Sequence, residues 1–246
     1  MKRICLVAWS LLLVVGGTGF AAEPPHAPVV VEFFTSQGCS SCPPADELAG
    51  ELAKRPDLVV LNYHVNYWDY IGWRDPFASD ATTERQRAYA HAMRQRNVYT
   101  PEAVVGGMTH AVGSDIEAVR DAIAEVAQKQ TPAPRIRTWL ADSGTLRVKV
   151  GGSHFFGKAE VLFVRYDYRH ETVVHAGENA GKRLVNFNVV RDIQKLGPWS
   201  GQSRTFDIAW TDMDRSGNVG CAVIVQRSRA GPVIGALNVD MAALAD

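Results

Sequence analysis

The pattern of apolar positions changes character about halfway along the chain. In the first half, apolar residues fall in short solid runs separated by stretches with a helical repeat. Residues 29–35 (VVVEFFT) and 58–63 (LVVLNY) are rich enough in β-branched and aromatic side chains to predict buried strands. Between them Leu48 and Leu52 stand four apart, on one face of a helix predicted over residues 45–52. Residues 79–97 predict a second helix, with Ser79 or Asp80 as N-cap and Ala81, Ala88, Tyr89, Ala92 and Met93 as its inward stripe. Two short strands, 103–105 and 109–112, flank Gly106-Gly107. Residues 114–130 predict a third helix, in which Ser114 is the cap, Glu117 holds the capping-box position, and Ile116, Val119, Ile123 and Val126 share a face. The order β-α-β-α-β-β-α predicts an α/β layer whose first strands run parallel.

Beyond Thr131-Pro132-Ala133-Pro134 the period becomes two. Alternating proline resists both helix and sheet, so this tetrapeptide is the expected linker. After it, Leu146-Val148-Val150, Val161-Phe163, Val185-Phe187-Val189, Phe206-Ile208-Trp210, Cys221-Val223-Val225 and Ile234-Ala236 alternate with polar or small residues. About six strands at such spacing predict an antiparallel, sandwich-like all-β unit. The expected division is therefore a leader at 1–22, an α/β domain at 23–131 and a β domain at 135–246.

The leader follows from its own pattern. Lys2 and Arg3 precede an almost purely apolar run, residues 4–15, and Gly19-Phe20-Ala21 offers small residues where a signal peptidase cuts. The run is too short to span a bilayer comfortably, so the expected product is an exported protein without a stable membrane anchor, periplasmic or secreted. Composition adds an exclusion. Lys and Arg number 26 against 26 Asp and Glu, and loss of Lys2 and Arg3 leaves 24 basic residues. A mature chain near −2 lacks the positive excess of nucleic-acid binders, so nucleic acid is not an expected partner. Removing Cys5 with the leader leaves Cys39, Cys42 and Cys221, an odd count that does not fit a purely structural disulfide framework.

The central chemical signal is Cys39-Ser40-Ser41-Cys42, between a predicted strand and a predicted helix. Cysteines three apart at a helix start lie about one turn from each other, within the roughly 4.4–6.8 Å Cα separation that a disulfide needs. Unpaired N–H groups and the helix dipole there would favour thiolate, making Cys39 the attacking sulfur and Cys42 the resolving one. Pro43 stands where haem attachment would need histidine. Structural zinc would need a second ligand pair. Copper held by Cys39, Cys42 and His64 stays open as an alternative. Cys221, on an apolar strand, reads as a buried thiol packing as a small hydrophobe. Pro43-Pro44 fits only if the helix begins close enough for both prolines to fall in its first turn, which leaves Cys39 in the preceding loop.

At this point the chain resembles a family of secreted bacterial thioredoxin-like proteins catalogued mainly as a domain of unknown function. The resemblance is carried by residues 32–46 (EFFTSQGCSSCPPAD) and 64–77 (HVNYWDYIGWRDPF), with Arg85-Gln86 following. Asn66 departs from it, since an acidic residue is expected there. The resemblance implies an α/β thioredoxin-like N-terminal domain with an appended all-β domain. It further implies that Thr100-Pro101 is a cis bond presenting the substrate backbone, and that Glu32, on the first strand, is a buried acid that accepts the proton of Cys42. The aromatic stretch that begins as the second strand ends would sit at the same sheet edge as Cys39, so His64, Tyr67, Trp68 and Trp73 are expected to line a substrate wall.

Two motifs are set aside. Gly177-Glu178-Asn179-Ala180-Gly181-Lys182 has the wrong spacing for a phosphate loop. The calcium-like run from Asp212 has Val223 at its twelfth position, where glutamate is needed. The expected function is thiol–disulfide exchange on a protein or small-molecule thiol or disulfide, with no cofactor beyond the Cys39–Cys42 pair. The alternatives are a binding protein stapled by a permanent disulfide, and a periplasmic copper carrier.

Overall fold

The computed structural model describes residues 27–129, 132–141, 144–154, 157–209, 218–241 and 244. The leader, Thr131, Trp210 and most of the run from Asp212 lie outside the described residues. The elements in chain order are β1 (Val29–Thr35), α1 (Pro43–Leu52), β2 (Leu58–His64), a 3-10 turn (Asp69–Ile71), α2 (Asp80–Ala92), β3 (Glu102–Val105), β4 (Thr109–Val112) and α3 (Ile116–Lys129). Then come β5 (Ile136–Leu140), β6 (Thr145–Val150), β7 (Ala159–Val173), β8 (Arg183–Trp199), β9 (Arg204–Ala209), β10 (Val219–Arg227) and β11 (Val233–Val239).

The expected fold class, an α/β thioredoxin-like domain followed by a separate all-β domain, is not what forms. Among the described residues the protein is mostly β, with three α-helices set on one mixed sheet of eight strands in the order β11-β10-β7-β8-β2-β1-β3-β4. A smaller sheet holds β5-β6-β9. β1 and β2 are parallel, as expected. The correction comes from β7 and β8, which are 15 and 17 residues long, far longer than their alternating segments suggested. That length lets β8 run past β7 and join β2 in parallel at Asn62 and Val189. The edge of β2 that a lone N-terminal domain would have left open is therefore covered. Close packing of α1 on β8 reinforces the junction: Gly50 has no side chain because any Cβ there would run into the Phe187 ring.

The sheet also curls back on itself, so that β11 reaches the turn after β3 and the start of β2. Val233 N donates to Gly106 O at 2.8 Å, and Asn238 Nδ2 donates to Leu58 O at 2.9 Å. One core lies between α1, α3 and the outer face of β1–β3, and contains Val31, Phe33, Leu48 and Ile123. A second lies on the opposite face and mixes both halves of the chain, with Val30, Phe34 and Tyr89 beside Leu162, Val164 and Ile224. The third fills the space between the small sheet and β7, β10 and β11, and contains the buried Cys221. α3 is capped by Asp115, whose Oδ1 accepts from Ala118 N, rather than by Ser114.

Candidate functional site

The site is built at the carboxyl ends of β1 and β2, where residues 36–42 lead into α1. Cys42 is the N-cap of α1, and Pro43 and Pro44 occupy its first two positions. Cys39 lies in the turn before, with Cys39 N bonded to Ser36 O and Cys42 N to Cys39 O. The two cysteines form a disulfide across a Cα separation of 5.4 Å. The prolines fit for the reason anticipated, but with a chemical consequence. They carry no N–H, so the helix start offers Cys39 few of the donors expected there. The contact made to Cys39 Sγ by a neighbouring hydroxyl is Ser41 Oγ, at 3.4 Å.

The disulfide lies below the surface. Cys39 is 1% exposed and Cys42 is fully buried, while Ser40 and Ser41 are open to solvent. Part of the cover is the connection between β7 and β8. Asn179 Nδ2 donates to both Gln37 O and Cys39 O at 2.9 Å, and Glu178 Oε2 accepts from Ser40 N at 3.2 Å. The set-aside glycine motif thus contributes directly to the site. Its Gly177, at φ +73°, lies close against Trp73.

Beneath the cysteines runs a buried polar network. Asp46, one turn beyond Cys42, accepts from Asn62 Nδ2 and Asn186 Nδ2, each at 3.1 Å. Asn186 Oδ1 accepts from Gln37 Nε2, and Gln37 Oε1 accepts from Trp73 Nε1. Gln37 N donates to Asp75 Oδ2 at 2.7 Å, the same oxygen that meets His64 Nδ1 at 2.7 Å. Burial pushes the Asp46 carboxyl up to about 6, against the opposing pull of His64 and its amide donors. Burial also opposes charge on His64, but the Asp75 carboxylate, with Asp46 behind it, more than offsets this and raises the imidazole. Asp75 resists its own burial through His64 and two backbone N–H groups, and its pKa is lowered. His64 Nε2 and Asn62 Oδ1 are buried without a partner.

The other expected residues fall around this core in different roles. The Thr100–Pro101 bond is cis. Thr100 Oγ1 accepts from Trp68 Nε1 at 2.7 Å. A side chain added at Gly113 would meet Pro101, Ala45 and Phe33 within 3.2–3.4 Å, which places the proline beside the first turn of α1. Tyr67 donates to Gln86 Oε1, and burial pushes its phenol up to about 12. His64 is wholly buried and lines no surface wall. Glu32 sits on the face of β1 opposite α1. There it pairs with Arg85 at 2.6 Å and accepts from Tyr89 OH. The buried acid below the cysteines is therefore Asp46, not Glu32. Asp46 belongs to the motif itself, and the available signal was its position four residues beyond Cys42 on the same helical face. Among the described residues no three His, Cys, Asp or Glu side chains converge as a metal site.

Fold and site together define a class: a mixed-sheet protein carrying a CxxC disulfide at the mouth of a helix, above a sealed polar network. The chain belongs to the family described as "Protein of unknown function (DUF1223)", whose model matches residues 30–226. A crystal structure of a protein from Agrobacterium tumefaciens is 31% identical and superposes with a TM-score of 0.75, over 88% of this chain and 96% of that one. HBP35 of Porphyromonas gingivalis, at 13% identity and a TM-score of 0.59, covers 88% of this chain and 76% of its own, and shares the fold alone. No curated protein matches the chain.

Proposed function

We propose that the protein is an exported thiol–disulfide oxidoreductase acting on a protein or small-molecule thiol or disulfide through Cys39 and Cys42. The observation that carries this reading is the closed pair at the N-cap of α1, with Asp46, raised to about 6, one turn behind it. In the reducing direction the Cys39 thiolate attacks a substrate disulfide, joining one substrate sulfur and releasing the other as thiolate. Cys42 gives its proton toward Asp46 and attacks Cys39 Sγ. The second substrate thiolate leaves, and the two electrons of the dithiol have passed to the substrate. The oxidising direction is the reverse. Pro101, beside the first turn of α1, is suited to present the substrate chain, and Tyr70, 82% exposed, stands at the outer edge of the aromatic segment.

One observation favours a second reading, that of a binding protein stapled by a permanent disulfide: the burial of both sulfurs. The reduction potential separates the two. An exchanger is expected to titrate between about −120 and −270 mV and to lose turnover of a model disulfide in Cys39→Ser. A value below about −300 mV, with no alkylation after mild reduction, assigns the staple.

A further inference from the structure

On the opposite face of the sheet from α1, a cavity of about 460 Å³ opens between α2, the paired strands β7 and β8, and the turn after β10. Its volume is that of a small-molecule site. Arg85 forms part of the lining with a side chain only 9% exposed. Its Nε and Nη2 are spent on Glu32, and Nη2 also reaches Tyr89 OH and Gln226 Oε1. The guanidinium carbon is held 5.5 Å from the Tyr63 ring centre and 5.1 Å from that of Tyr89. Nη1 has no hydrogen-bond partner among the described residues, so within this lining residue it is the donor left for a ligand. The guanidinium is therefore fixed in place by its pair with Glu32, with one nitrogen to spare.

The rest of the lining agrees in sign. The two acids, Glu84 and Glu160, are engaged by Arg87 and Lys195. Arg229, also in the lining, has no ion-pair or hydrogen-bond partner among the described residues. Arg229 and Ala230 both hold the left-handed region, at φ +63° and +53°. Leu162 and Ile193 supply an apolar wall.

We infer that this cavity binds a small organic anion, a single carboxylate on a short aliphatic body, with the head on Arg85 Nη1, Arg229 at the mouth and the chain along Leu162 and Ile193. The site is independent of the disulfide, so it stands or falls apart from the redox reading. Calorimetric titration of the full chain with octanoate tests it. Saturable binding is expected, with Arg229→Glu weakening it by about fivefold or more, as reversal of a mouth charge should. The double variant Glu32→Gln/Arg85→Gln, which leaves no buried charge unpaired, is expected to lose it altogether. Should that variant fail to fold, octanol decides. The neutral analogue with the same body must bind about tenfold more weakly than octanoate. The assignment is overturned if octanoate shows no saturable binding, if octanol equals it, if Arg229→Glu changes nothing, or if inorganic phosphate displaces octanoate at equal concentration.

Discussion

Asp46 is fully buried and has no ion-pair partner among the described residues, so its charge is held against desolvation by two side-chain amides and the distant imidazole. Because its folded pKa is raised from 3.8 to about 6, the folded state binds the proton more tightly than the unfolded chain does. The group therefore favours folding below about pH 4 and opposes it increasingly as pH rises through 6. Asp46→Asn is expected to raise stability at pH 7 by up to about 3 kcal/mol in urea titration, with the gain vanishing near pH 4. The new amide can be accommodated, since a flip of Asn62 would turn its unpartnered Oδ1 toward it. The same substitution is expected to slow resolution of a mixed disulfide at Cys39 by about a hundredfold. A stabilised variant with an unchanged exchange rate would show that Asp46 takes no proton from Cys42. At this scale the cysteines were legible because spacing alone decides whether they can pair. The acid was not, because the strand position of Glu32 suggested depth without revealing which face it takes.

Between elements, two contacts set how the site behaves. Gly50 lies in the interior of α1, where alanine ordinarily stabilises a helix by up to about 1 kcal/mol. Here Gly50→Ala is expected to destabilise by about 1–3 kcal/mol, because the new methyl meets the Phe187 ring. Pairing it with Phe187→Leu is expected to recover much of the loss, and independent, additive effects would refute the contact. The connection between β7 and β8 has a different part, since its Asn179 and Glu178 tie down the backbone of Gln37, Cys39 and Ser40. Asn179→Ala is expected to speed reduction of the disulfide by glutathione at least about fivefold, by loosening hydrogen bonds worth about 1 kcal/mol. An unchanged rate would mean that access to Cys39 is controlled elsewhere. The strands and helices of the first half were readable from periodicity. This connection was not, because nothing local in its sequence says that it folds back over residue 39.

At the scale of the whole molecule, the proline-rich tetrapeptide looked like a boundary because local composition reports stiffness, not which sheet edges remain open. β8 closes the edge of β2, and one buried cluster joins Val30, Phe34 and Tyr89 to Leu162, Val164 and Ile224. Long-range pairing of this kind leaves only weak traces in a sequence, since β2 and β8 each show an ordinary strand pattern on their own. It has a consequence for folding. A fragment of residues 23–131 would expose the edge of β2 and the apolar face of β1 and β3, and would also strip Asp46 of Asn186. Such a fragment is expected to aggregate or to unfold without a cooperative transition. Adding residues 135–246 in trans is expected to restore a single transition. If the first fragment instead melts cooperatively alone, then the shared sheet is not what holds the site together.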